Sequence, residues 1–85
     1  MAQAMDTDED GAIQARLGAQ IKARREKAGL SQGALADASG VHRTYVNQVE
    51  GGHRNISVNL LVRMATALGT TASALTQGLG RTNTE

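Results

Sequence analysis

Glycine divides this chain into runs that suit only short helices. Gly29, Gly40, Gly51-Gly52, Gly69 and Gly78 each close a stretch in which apolar residues recur at helical spacing. No proline shares that task, and no stretch alternates apolar and polar residues over a useful strand length. Ile13, Leu17 and Ile21 form the stripe of a first helix, about residues 11–28, with Lys22, Arg24, Arg25 and Lys27 crowding its last turns, where the helix dipole favours positive charge. Ser31 suits the N-cap of a second helix, about 32–38, with Leu35 and Ala36 facing inward. A third follows at once, about 43–50, with Val46 and Val49 on its inner side. After a polar loop over Gly52 to Ile56, Ser57 caps a fourth helix, about 58–68, carrying Leu60, Leu61, Met64, Ala65 and Leu68. Thr71 caps a short fifth that runs through Leu75 to Gln77. The pattern predicts an all-α fold, a compact bundle of five helices.

Composition narrows the function. The 85 residues allow one small domain, and a core without Phe or Trp rests on Leu, Ile, Val, Met and Ala. Such a core is thin, and oligomerisation is a common remedy. With no Cys there is no disulfide framework, no thiol nucleophile and no Cys-ligated zinc. His42 and His53 lack a third ligand at helical or loop spacing, so neither a metal nor a cofactor is expected. No paired carboxylates, nucleophile with base, or glycine-rich phosphate loop in a βα setting points to an enzyme. No apolar run spans a bilayer and no signal peptide is visible, so a cytoplasmic, nucleoid-associated protein with no membrane partner is expected.

The net charge of +1 is unevenly spread. Residues 1–10 carry Asp6, Asp8, Glu9 and Asp10 and no base, whereas residues 11–80 carry eight basic side chains against three acidic ones. This divides the chain into an acidic, disordered leader (1–10), a basic domain (11–79) and a frayed tail (80–85). A basic domain suits an anionic partner such as nucleic acid, and an acidic leader competes with that partner electrostatically.

Residues 31–50 hold the most specific signal. Two short helices are joined by a tight turn at Gly40-Val41-His42, with Ala36 small enough for a close crossing and Val41 and Val46 as inner plugs. That is the geometry of a helix-turn-helix, whose second helix lies in the DNA major groove. The string Leu30-Ser31-Gln32-x-x-Leu35-Ala36, then Gly40-Val41-x-Arg43-Thr44-Tyr45-Val46-x-x-Val49-Glu50-x-Gly52, resembles the phage repressor/Cro-type (XRE-like) helix-turn-helix family. The resemblance runs from about Leu17 to Leu79 and includes the lead-in Arg25-x-x-x-Gly29-Leu30. Within that family, His42-Arg43-Thr44-Tyr45 followed by Arg54-Asn55-Ile56-Ser57 is similar to the small controller proteins of restriction–modification systems.

The resemblance implies a lambda repressor-like DNA-binding domain and assigns roles by position. Arg43, Thr44, Asn47 and Gln48 fall where the family reads base edges, and their chemistry agrees: Arg forks onto guanine, Gln or Asn pairs with adenine. Gln32 matches a residue that bonds a DNA phosphate and braces the recognition helix. His42, Tyr45, Arg54, Asn55 and Ser57 are expected at phosphates, Tyr45 either there or as edge packing, and Asn47 at a base or a phosphate. Arg25 and Glu50 match an ion pair joining the first helix to the end of the third. Leu61, Ala72, Leu75 and Leu79 are expected to form the interface of a homodimer. The pattern is broken at Gly33 and Ala34, where family members often carry the acids of a capping box, and at His42, a turn position usually held by Ser, Thr or Asp.

The expected activity is sequence-specific regulation of transcription by a homodimer on a pseudo-palindromic operator of double-stranded DNA, with recognition helices about 34 Å apart. No second domain for a small-molecule ligand is expected. The rival reading is a protein-interaction module, an antitoxin or adaptor on the same fold.

Overall fold

The computed structural model describes the backbone of residues 2–80 and the side chains of residues 9–80, so the tail expected over 81–85 lies outside the described residues. Helix α1 spans Ala2–Lys27, α2 Gln32–Ser39, α3 Arg43–Glu50, α4 Val58–Ala67 and α5 Ala72–Thr76; there is no strand among the described residues. Four of these agree with the sequence pattern to within a residue or so. The exception is α1, which begins well before residue 11 and takes in the acidic segment 2–10. Ala2, Gln3, Ala4 and Met5 are good helix formers, and neither glycine nor proline interrupts them before Gly11. A helix of 26 residues is about 39 Å long, which accounts for the 41 Å long axis of the molecule.

Local chemistry sets the helix ends. The hydroxyls of Ser31, Ser57 and Thr71 accept hydrogen bonds from the backbone N–H of Ala34, Leu60 and Ala74, each at the third position of its helix. Ser31 therefore caps α2 without the acidic half of a capping box. Gly40 ends α2 at φ 75°, a left-handed conformation that costs glycine little, and the Val41 N–H reaches back to the Ala36 carbonyl at 3.0 Å. This turn sets α3 against α2.

Helix α2 packs on α3 and α4, α1 on α3 and α5, and α4 on α5. Ile21, Leu35, Ala36, Val46, Val49, Leu60, Met64, Ala65 and Leu75 form the buried core, and Leu17, Val41, Tyr45, Ile56, Leu61 and Leu68 pack around it half-buried. Helix α1 approaches the end of α3 backbone to backbone. A Cβ on Gly18 would overlap the Val49 carbonyl oxygen and lie 2.7 Å from that of Glu50. One on Gly52 would lie 2.9 Å from the Ala15 Cα. The Arg16 guanidinium also donates to the Leu79 carbonyl at 2.5 Å, which ties α1 to the far end of the chain. No described helix is long and apolar enough to cross a membrane.

Candidate nucleic-acid interface

Helix α3 presents one face to the core and the other to solvent. Val46 and Val49 are buried, whereas Arg43, Thr44 and Asn47 are exposed and Gln48 is half-exposed. The four side chains expected to read bases thus share the outer side of one helix, as a period of 3.6 residues dictates. Arg43 and Thr44 make no side-chain hydrogen bond to the described residues.

Polar contacts fix the C-terminal end of α3. The Arg25 Nε and Nη2 donate to Glu50 Oε2 and Oε1 at 2.6 and 3.0 Å, a two-point pair in which both side chains are largely buried. Arg25 Nη1 donates to the Leu30 carbonyl at 2.8 Å, so one guanidinium joins α1, the α1–α2 turn and α3. The hydrogen bond to Glu50 raises the Arg25 pKa above its ordinary value, outweighing burial, with the charge of Glu50 adding to it. Gln32 Nε2 donates to Glu50 Oε1 at 3.0 Å, and Asn47 Nδ2 reaches Gln32 Oε1 at 3.4 Å. Gln32 therefore braces the outer helix, and its amide is held between Glu50 and Asn47.

The residues expected at phosphates fall into three groups. His42 is the N-cap residue of α3, exposed, with no side-chain capping bond, so the first N–H groups of α3 lack a side-chain partner. Asn55 and Ser57 are exposed ahead of α4, and the Ser57 hydroxyl is engaged as its N-cap. Arg54 turns back onto α3: its guanidinium lies 4.7 Å from the centroid of the Tyr45 ring, and its Nε donates to Gln48 Oε1 at 2.8 Å. Tyr45 itself is half-buried against the core, beneath that guanidinium.

Two other residues were missed by sequence reasoning. Lys22 and His53, both exposed, line a notch with Gln32, Asn47, Glu50 and Gly51 beside the outer face of α3. The available signal was Lys22 standing three residues before Arg25 and hence on its side of α1.

The residues expected at a dimer interface differ in burial within the single chain. Leu75 is fully buried in the core of the single chain and Leu79 is only 8% exposed, so both are spent on intramolecular packing. Leu61 and Ala72 are half-buried. Among the described residues, the large apolar side chains left exposed are Val58, 71% exposed, and Val62, 47% exposed, one turn apart on α4. The signal for them was the composition of α4, which is apolar around more of its circumference than one buried stripe requires.

The profile of the Helix-turn-helix family matches residues 21–75, from the middle of α1 through α5. The chain belongs to the helix-turn-helix family. Its relatives include Control protein C.SmaI of Serratia marcescens, 38% identical over 63 residues that cover 74% of this chain and 75% of that protein. Control protein C.MunI of a Mycoplasma species is 39% identical over 64 residues, covering 74% of this chain and 86% of its own. Among solved structures, the restriction-modification controller protein C.AhdI of Aeromonas hydrophila superimposes with a TM-score of 0.71 at 39% identity. That likeness covers 73% of this chain and 94% of C.AhdI. As a helix-turn-helix protein, the chain has α2 as the supporting helix and α3 as the recognition helix.

Proposed function

We propose that this protein is a sequence-specific DNA-binding regulator of transcription, acting as a homodimer on a pseudo-palindromic operator as the controller of a restriction–modification system. The observation that carries the reading is the solvent-facing row Arg43, Thr44 and Asn47 on a helix held rigidly by Arg25, Glu50 and Gln32. Its similarity to the control proteins C.SmaI and C.MunI and to the controller protein C.AhdI supports the controller role. Arg43 donates in a fork to guanine O6 and N7, and Thr44 meets a thymine methyl or a phosphate. The free N–H groups at the start of α3, with His42, Asn55 and the notch residues Lys22 and His53, take the flanking phosphates. One such domain buries too little surface to be both tight and selective, and pairing through Val58, Leu61 and Val62 supplies the second half-site reader. Such a regulator works in the cytoplasm, at the nucleoid.

The test is binding to a library of genomic fragments as salt is varied. The expected result is enrichment of a two-fold symmetric site, with log affinity falling by about 0.9 per log unit of salt for every phosphate contacted. Arg43→Ala should relax the preference at one base pair of each half-site and leave the circular dichroism spectrum unchanged. A folded protein that enriches no fragment overturns the reading.

A further inference from the structure

The bond between Arg54 and Gln48 has a consequence for what the recognition helix reads. An arginine Nε–H donates and never accepts, so the Gln48 atom 2.8 Å from it is the carbonyl oxygen. That identifies which end of the amide faces Arg54 and leaves the Gln48 NH2, a group with two donor hydrogens, facing away. Arg54 is itself held, because its guanidinium stacks on the Tyr45 ring at 4.7 Å and Tyr45 is packed against the core. Core, ring, guanidinium and amide are thus joined in one series of contacts, the last of them a hydrogen bond between residues six positions apart.

The base edges respond differently to such an amide. Adenine in the major groove presents an acceptor at N7 and a donor at N6, and glutamine reads it by using its oxygen and its NH2 together. Guanine presents two acceptors, N7 and O6, which a donor-only group matches. We infer that Arg54 is a positioning residue for base recognition: by engaging one lone pair of the Gln48 oxygen it holds the amide with its NH2 turned outward, and so biases Gln48 toward guanine over adenine. This rests on the DNA-binding reading above and goes beyond it by assigning a specificity to one side chain and a cause to that specificity. It also changes the role of Arg54, which sequence position alone assigned to a phosphate.

The experiment is selection from a random-sequence duplex library by the full-length wild type and by Gln48→Ala, Arg54→Ala and Arg54→Met. The last keeps an apolar cover over Tyr45 but no donor. The base pair read by Gln48 is the one whose preference Gln48→Ala abolishes. Wild type is expected to favour guanine there by about 5- to 150-fold, the range of a good two-point contact. Both Arg54 variants are expected to lose that preference or move it to adenine, while the other positions and the salt dependence stay as in wild type. Three outcomes overturn the inference. In the first, wild type prefers adenine at that pair. In the second, Gln48→Ala alters no position. In the third, the Arg54 variants bind every sequence more weakly with a salt slope lower by about 0.9, the mark of a lost phosphate contact. In each of these the wild type still enriches a site, so the DNA reading stands. If the wild type enriches nothing, both fall.

Discussion

Arg25 on α1 grips Glu50 at the end of α3 through two parallel hydrogen bonds of 2.6 and 3.0 Å, in a setting where both side chains are largely buried. Removing either partner leaves a charge without its counter-charge in that setting, at a cost of about 3–5 kcal/mol. Arg25→Ala and Glu50→Ala should each lower the urea midpoint accordingly, and the double variant should be less destabilised than the two effects added. The Arg25 pKa is raised by the hydrogen bond to Glu50. A raised pKa means a contribution that is complete below the ordinary arginine value and is lost only as pH rises through the folded-state value. From the Arg25 side, the difference between wild type and Arg25→Ala should therefore be constant from neutral pH to mildly alkaline pH.

Gly18 marks the closest approach of α1 to α3. Its substitution by alanine places a methyl group against two backbone carbonyl oxygens, those of Val49 and Glu50, which cannot turn aside as a side chain would. Gly18→Ala should destabilise the fold by about 1–3 kcal/mol or more, although alanine is the better helix former. Thermal unfolding followed by circular dichroism measures this, and an unchanged midpoint would show that the two helices separate freely.

Gly33 gives the opposite expectation. It lies inside α2, where an added Cβ meets only ordinary contacts at 3.8 Å, with Arg43 Cδ and Ser31 Oγ. Gly33→Ala should stabilise the protein by about 0.5–1 kcal/mol through helix propensity alone. Paired with Gly18→Ala, it separates the effect of propensity from that of packing in the same denaturation assay.

Ser39 is 1% exposed, and its hydroxyl has no hydrogen-bond partner among the described residues. A buried hydroxyl without a partner carries a desolvation penalty of about 1–3 kcal/mol. Ser39→Ala removes the oxygen at little change in volume and should raise stability by some part of that amount. Its carbonyl, which accepts from Arg63 Nε at 3.1 Å, is a backbone group and is untouched by the change.

Val58 and Val62 test the dimer. Replacing both with aspartate on the outer side of α4 leaves the core intact, because neither residue belongs to it. The variant should keep the helical spectrum of wild type, sediment as a monomer at concentrations where wild type is dimeric, and bind operator DNA far more weakly. Sedimentation identical to wild type would move the dimer surface elsewhere.

The amino-acid sequence carried most of the local structure. Periodicity and glycine placement located α2 to α5 to within a residue or so, and Arg25 and Glu50 were paired correctly from their positions in the family pattern. What it concealed is tertiary. Nothing in the neighbourhood of Gly18 says that another backbone will arrive there, since the constraint belongs to α3. Leu75 sits in a helix of five residues, too short for its pattern to tell a core face from a partner face. The bond from Arg54 to Gln48 crosses a loop whose course no propensity describes. The start of α1 was placed late because acidic residues were read as a solvated leader, whereas the flanking Ala, Gln and Met residues continue the helix.

The chain of amides and charges from Asn47 through Gln32 and Glu50 to Arg25 is already closed in the free protein. Asn47 gives one amide hydrogen to Gln32, and a base or phosphate that takes that hydrogen exchanges one hydrogen bond for another, which changes the free energy little. Arg43 and Thr44 hold no such internal partner, and water is all that they give up. Selectivity in this molecule then falls to Arg43 and Thr44 at the start of the recognition helix and to the NH2 of Gln48, while its last residue behaves as a hinge pin, fixed beforehand by Arg25 and Gln32.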